Sequence, residues 1–137
     1  MGKLAGIIAA VICVIAITIV MTRVLPTTEE GSDGETRELV VAANAELHQA
    51  QTAIIACMAD AESSTVTVTG AWSGGQEVYA TSANATIYYA NAYVYGPFRA
   101  AYTVLTDGSI TSGDAMITGG WGSSIVWDTT YYNWKNA

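Results

Sequence analysis

ETRELVVAANAELHQAQTAIIACMADAESSTVTVT, residues 35–69, changes its periodicity once, and that change decides the fold class. Up to Ala61 the apolar positions Leu39, Ala43, Leu47, Ala50, Ile54, Cys57 and Ala61 recur at steps of three and four. That is one stripe at helical period, so a helix is expected over about Glu35 to Ala61, its stripe facing a core. Glu38, Asn44, Gln51 and Asp60 fall off the stripe. Thr36 is the expected N-cap, with Glu35 and Glu38 suited to the positive helix end. After Ser63-Ser64 the pattern becomes strict alternation: TVTVT, Thr65–Thr69, places Val66 and Val68 on one face. This is strand chemistry.

C-terminal to this switch every segment reads as short strand or turn. Glu77–Ala80 is an expected strand after the Gly74-Gly75 turn, and ATIYYANAYVY (Ala85–Tyr95) is a long β-prone run ended by Gly96-Pro97. On such a strand Tyr89, Tyr93 and Tyr95 share one face and Tyr88 takes the other. Phe98–Leu105 follows, then Asp107-Gly108, a hairpin dipeptide, and a returning strand at Ser109–Thr111. Ala115–Thr118, Ser123–Trp127 and Thr130–Trp134 complete the set. One helix followed by about five to seven short antiparallel strands is an α+β layout, an amphipathic helix packed on a small antiparallel β-sheet.

N-terminal to the switch lies a different kind of chain. LAGIIAAVICVIAITIVMTRVL, Leu4–Leu25, is charged only at Arg23. As a helix it measures roughly 33 Å, about the thickness of a bilayer core, so an N-terminal transmembrane helix is expected. Ala5, Ala9, Cys13 and Ala16 form a small-residue stripe along which another helix can approach. Residues 1–3 are then a cytoplasmic stub, and Pro26–Arg37 (PTTEEGSDGETR) an acidic linker broken by proline and glycine. Residues 38–137 form an extracytoplasmic domain. Lys3 before the run and Glu29, Glu30, Asp33 and Glu35 after it favour that orientation.

Charge narrows the partners. Of the 137 residues, all twelve acids but only Arg37, Arg99 and Lys135 among the bases follow Pro26, a formal charge of −9 on the polar part. Such a surface repels phosphate, which argues against nucleic-acid binding and against electrostatic help from anionic lipid. The membrane lipid contact is therefore the anchor's. Cys13 and Cys57 lie in separate segments and read as two isolated thiols.

At this point the chain resembles a type IV pilin-like or pseudopilin ectodomain. The resemblance rests on AANAELHQAQTAIIACMADAESSTVT (Ala42–Thr67), similar to the exposed half of a pilin's N-terminal helix entering its sheet. It continues in YGPFRAAYTVLTDGSIT (Tyr95–Thr111), similar to a pilin-like hairpin. Together these span about a third of the chain. The resemblance implies a structural subunit in an extracellular filament, with self-association or related pilin-like subunits as partners. The membrane helix is atypical for that family: cleavage after Gly2 or Gly6 would put Ile7 or Val11 where pilins carry a glutamate.

No catalytic signature is present, and neither an enzyme nor a cofactor is expected. His48 is the single histidine, with no second ligand at helical spacing, and G-x-S-x-G and phosphate-loop patterns are missing. Asp107, Asp114 and Asp128 adjoin turn residues, where aspartate serves turn chemistry. Asp107 with Asp114 is the one pair of calcium-loop character, without an EF-hand pattern. Tyr89, Tyr93, Tyr95, Trp121, Trp127 and Trp134 are the candidate assembly or ligand surface, set against packing in a core with one phenylalanine. A coplanar exposed row of Trp121, Trp127 and Trp134 would mark a surface-displayed binding module for carbohydrate or another cell-surface ligand. Strand edges paired between copies would mark assembly. Asn84-Ala85-Thr86 is the sole N-x-T sequon.

Overall fold

The computed structural model describes residues 32–137. The expected membrane helix, its stripe Ala5, Ala9, Cys13 and Ala16, the stub and the first part of the linker lie outside the described residues. Among the described residues one α-helix, α1 (Ser32–Ala61), packs on three small antiparallel sheets, an α+β fold. Among the described residues no helix is long and apolar enough to cross a membrane.

The helix begins earlier than its apolar stripe does. Residues 32–37, read as linker, are helical, and Thr36 is inside the helix instead of capping it. Acidic residues suit the positive helix end, so a segment without apolar side chains can still extend a helix that is held further along. At the other end Glu62 takes φ +52°, Ser63 N–H donates to Met58 C=O at 2.9 Å, and Glu62 N–H to Ala59 C=O at 3.1 Å. This is a Schellman closure with glutamate where glycine is usual. The stripe is the packed side: Ala43, Leu47, Ala50, Ile54, Cys57 and Ala61 are buried, and Leu39 is partly buried against them.

The first sheet, in order β1-β2-β3, contains β1 (Thr67–Val68), β2 (Val78–Thr81) and β3 (Ile87–Tyr89). Val78 faces Val68, and Ala80 faces Tyr88. The expected long strand Ala85–Tyr95 is cut short. After Tyr89 the chain turns into a 3-10 helix at Ala90–Tyr93, which buries Ala90 and brings Tyr93 to α1. Tyr89, Tyr93 and Tyr95 therefore do not share a strand face.

Two hairpins follow. β4 (Ala101–Val104) pairs with β5 (Ile110–Asp114) through the loop Thr106-Asp107-Gly108. Gly108, at φ +87°, donates to Leu105 C=O at 2.9 Å, and Asp107 Oδ1 accepts from Ser109 N at 2.9 Å. The loop is a three-residue turn whose third residue needs the left-handed region, which explains the Asp-Gly signal. β6 (Ile125–Asp128) pairs with β7 (Asn133–Asn136). Ala115–Thr118, expected as a strand, is part of a turn closed by Gly120 N to Ile117 O at 2.7 Å and Gly122 N to Ala115 O at 3.0 Å. The single expected sheet is thus divided in three. Trp72 and Tyr102 exchange both backbone hydrogen bonds, at 2.9 and 2.8 Å, and tie the first sheet's connection to β4.

Candidate functional site

The polar centre of the domain is Glu46, on the flank of α1's apolar stripe. Its Oε1 accepts from Ala100 N at 3.1 Å, the Tyr102 hydroxyl at 3.0 Å and the Trp121 indole N–H at 3.2 Å. Its Oε2 accepts from Arg99 N at 2.6 Å. One carboxylate thus gathers four donors from the segments 99–102 and 121. Charge-assisted bonds of this kind are the stronger class. Arg99 completes the group: its guanidinium lies 4.0 Å from the Trp121 ring centroid and donates to Gly120 C=O at 3.1 Å.

Tyr102 connects this centre to the aromatic core. Its oxygen accepts from Trp134 Nε1 at 3.2 Å while donating to Glu46, which links β7, β4 and α1 in one chain. Burial, and next the Glu46 charge, raise its hydroxyl well above the ordinary tyrosine range. Trp127 and Trp134 meet edge to face at 5.2 Å between centroids and 87°, and Trp72 meets Phe98 at 4.9 Å and 84°. Each indole in this group finds an acceptor, as buried tryptophans require: Trp72 on Gly75 C=O and Trp127 on Thr111 C=O, both at 3.0 Å.

Asn44 acts as a strand edge. Its side-chain amide donates to Trp134 C=O at 3.0 Å and accepts from Trp134 N–H at 2.9 Å, satisfying both backbone groups of one β7 residue. At the next-to-last position of α1, Asp60 is 7 % exposed and accepts the Tyr93 hydroxyl at 2.6 Å. Burial first, then that bond, raises Tyr93 above its ordinary value. Cys57, fully buried, donates to Tyr88 C=O, and burial pushes its thiol up to about 11. It is a packing residue of low thiolate content.

The expected surface residues are scattered. Trp134 is 2 % exposed and belongs to the core, Trp121 and Trp127 are partly buried, and Tyr93 is spent on Asp60. Tyr89 packs across the strands on Tyr79 at 5.5 Å. Of the six only Tyr95 is well exposed. No coplanar tryptophan row exists, because the rings are needed to fill a core that otherwise has one phenylalanine. Asp107 sits at the β4–β5 turn, whereas Asp114 pairs with Ala101 at the far end of that hairpin. Asp107 accepts from Ser109 and Asp114 from Met116 N at 2.8 Å, so the two do not converge on a cation. Hydrogen bonds from Ser109 hold the Asp107 carboxyl below the usual range. Among the described residues no cluster of three or more His, Cys, Asp or Glu forms a metal site. His48 is exposed on α1.

What remains as surface is the outward side of α1. Val41, Ala45, His48, Thr52, Ile55 and Ala59 recur at steps of four and three, opposite the buried stripe. The row carries no acid, lysine or arginine, and Ile55 is 66 % exposed. The Thr52 hydroxyl turns back onto His48 C=O at 2.8 Å, which removes one polar group from the outer surface. A second feature is an open groove of about 640 Å³ between residues 68–71 and 103–107. It opens where these segments part between the Val66–Thr106 and Trp72–Tyr102 backbone bonds, and its lining holds one charged residue, Asp107.

No protein-family model, curated protein or solved structure matches this chain.

Proposed function

We propose that this chain is a membrane-anchored, extracytoplasmic assembly subunit of pilin-like character. Residues 4–25 form the membrane helix, and copies associate through it and through the outward row of α1. The single observation that carries this reading is that the outward row of α1 has no acid, lysine or arginine and leaves Ile55 66 % exposed. A surface helix ordinarily turns charge to solvent, and an uncharged outward row with an exposed isoleucine is suited to being covered. In a domain whose residues 38–137 carry a formal charge of −6, the outward row of Val41, Ala45, His48, Thr52, Ile55 and Ala59 is without formal charge, and its small residues allow a second helix close approach. The fitting occupant is the same row of another copy. The carbohydrate-binding alternative lacks the exposed tryptophan row that it needs.

The test uses the full chain in its native membrane. Ile55→Asp and Ala59→Glu each place a charge on the outward row without touching the buried stripe. Loss of cross-linked and sedimenting assemblies, with unchanged circular dichroism and thermal unfolding, is the expected result. Assemblies that survive both substitutions would refute the reading. N-terminal sequencing sharpens it: a chain starting at Lys3 or Ile7 means prepilin-type processing, and one starting at Met1 or Gly2 means a retained anchor.

A further inference from the structure

The turn between β2 and β3 has the sequence Ser82-Ala83-Asn84-Ala85-Thr86, and Asn84 to Thr86 is the chain's N-x-T sequon. Its backbone is closed by Ser82 N to Thr86 O at 2.9 Å and Ala85 N to Ser82 O at 3.0 Å. Residues 83–86 are exposed, and Ala85 is held at φ +65°. Asn84 Oδ1 accepts from the Ser82 hydroxyl and, at 3.1 Å, from the Thr86 hydroxyl. Asn84 Nδ2 has no partner among the described residues. The two hydroxyls stabilise negative charge on Oδ1 as Nδ2 gives up a proton, and they leave that nitrogen as the open end of the amide.

We propose that Asn84 is an N-glycan acceptor, taking a saccharide from a lipid-phosphate-linked donor. The proposal rests on the domain being extracytoplasmic, as read above. In the transfer Nδ2 bonds to the anomeric carbon as that carbon's bond to the phosphate oxygen breaks. The lipid phosphate leaves with the electron pair, and the amide proton passes to a base of the transferring enzyme; nothing is oxidised or reduced. Thr86 is the positioning residue, through its hydroxyl on Oδ1. The position has a physical use. β3 is an edge strand, and Ile87 beside the sequon is 47 % exposed, so a hydrated sugar here blocks edge-to-edge pairing.

The test is mass spectrometry of the chymotryptic peptide 80–88 from full-length protein in its native membrane. Whole cells are first treated with a membrane-impermeant amine reagent that reports on the exposed Lys135. The expected result is a peptide heavier by a saccharide, complete loss of that mass in Asn84→Gln and Thr86→Ala, its retention in Thr86→Ser, and labelled Lys135. Bare Asn84 with labelled Lys135 overturns the glycan and leaves the topology standing. Bare Asn84 with unlabelled Lys135 overturns both. Sugar found only on serine or threonine also overturns the assignment.

Discussion

The two halves of the domain are held to α1 by different means. Around Glu46 and Asn44 the helix meets β4, β7 and residue 121 through directional bonds, and large rings fill the space between. Around Cys57 and Asp60 it meets the first sheet and the 3-10 helix mainly through small residues: Ala50, Ala53, Ala61, Ala80 and Ala90 are all buried. Alanine lets backbones approach closely and asks for no partner. Tryptophan and tyrosine bury more area, but each brings an N–H or O–H that needs an acceptor. The ring-rich half therefore needs polar groups inside, and the alanine-rich half needs few.

Substitutions can break that contrast. Trp134→Ala removes a buried ring together with its hydrogen bond to Tyr102, and is expected to cost about 3–5 kcal/mol in urea unfolding. Val78→Ala, in the other half, is expected to cost roughly 1–3 kcal/mol. Equal losses would mean that the two halves are held alike.

Next in size is Glu46→Ala, which leaves four donors without their acceptor and is expected to cost about 2–4 kcal/mol. Glu46→Gln keeps an oxygen in place and should recover much of that loss. Trp121 fluorescence should shift to the red in the alanine variant and stay closer to the parent in the glutamine one. An unchanged urea midpoint in Glu46→Ala would show that the carboxylate is a bystander. Asn44→Ala is smaller, about 1–2 kcal/mol, because two backbone groups of Trp134 lose their partner at the margin of the core.

The last effect is a pH dependence. Cys57 titrates near 9.0 in the unfolded chain and about 11 in the folded one, so the folded state holds its proton longer. Its contribution is fully present below pH 9 and is lost as pH rises toward 11. Tyr93 and Tyr102, both raised above 10.0, add losses of the same sign at higher pH. Thermal midpoints measured from pH 7 to 11 should fall from about pH 9, and in Cys57→Ala only from about pH 10. A flat profile would show that these groups have no charge-linked role in stability.

Much of the helix was legible in advance because its information is local. Leu39 to Ala61 repeats at helical period, and six of those seven stripe residues are buried in the structure. The Asp107-Gly108 turn was equally local, since the left-handed residue it requires is written into the dipeptide. Strand lengths were less readable. In Ala85–Tyr95 the β-prone composition persists, yet Ala90 and Tyr93 are drawn to α1 and bend the chain into a 3-10 helix. Tertiary burial outweighed propensity there.

By itself the sequence determined a helix followed by short strands, the α+β class, the buried side of α1 and the excess of negative charge. Only the tertiary structure decided that Glu46, off the apolar stripe, is the polar centre, that Trp134 is inside, and that the strands divide into three sheets. The reason is reach. Periodicity reports which side of an element is apolar over a few turns, whereas Glu46 bonds to residues 53 to 75 positions away and Asn44 to one 90 away. Such pairings exist only once the chain has returned on itself.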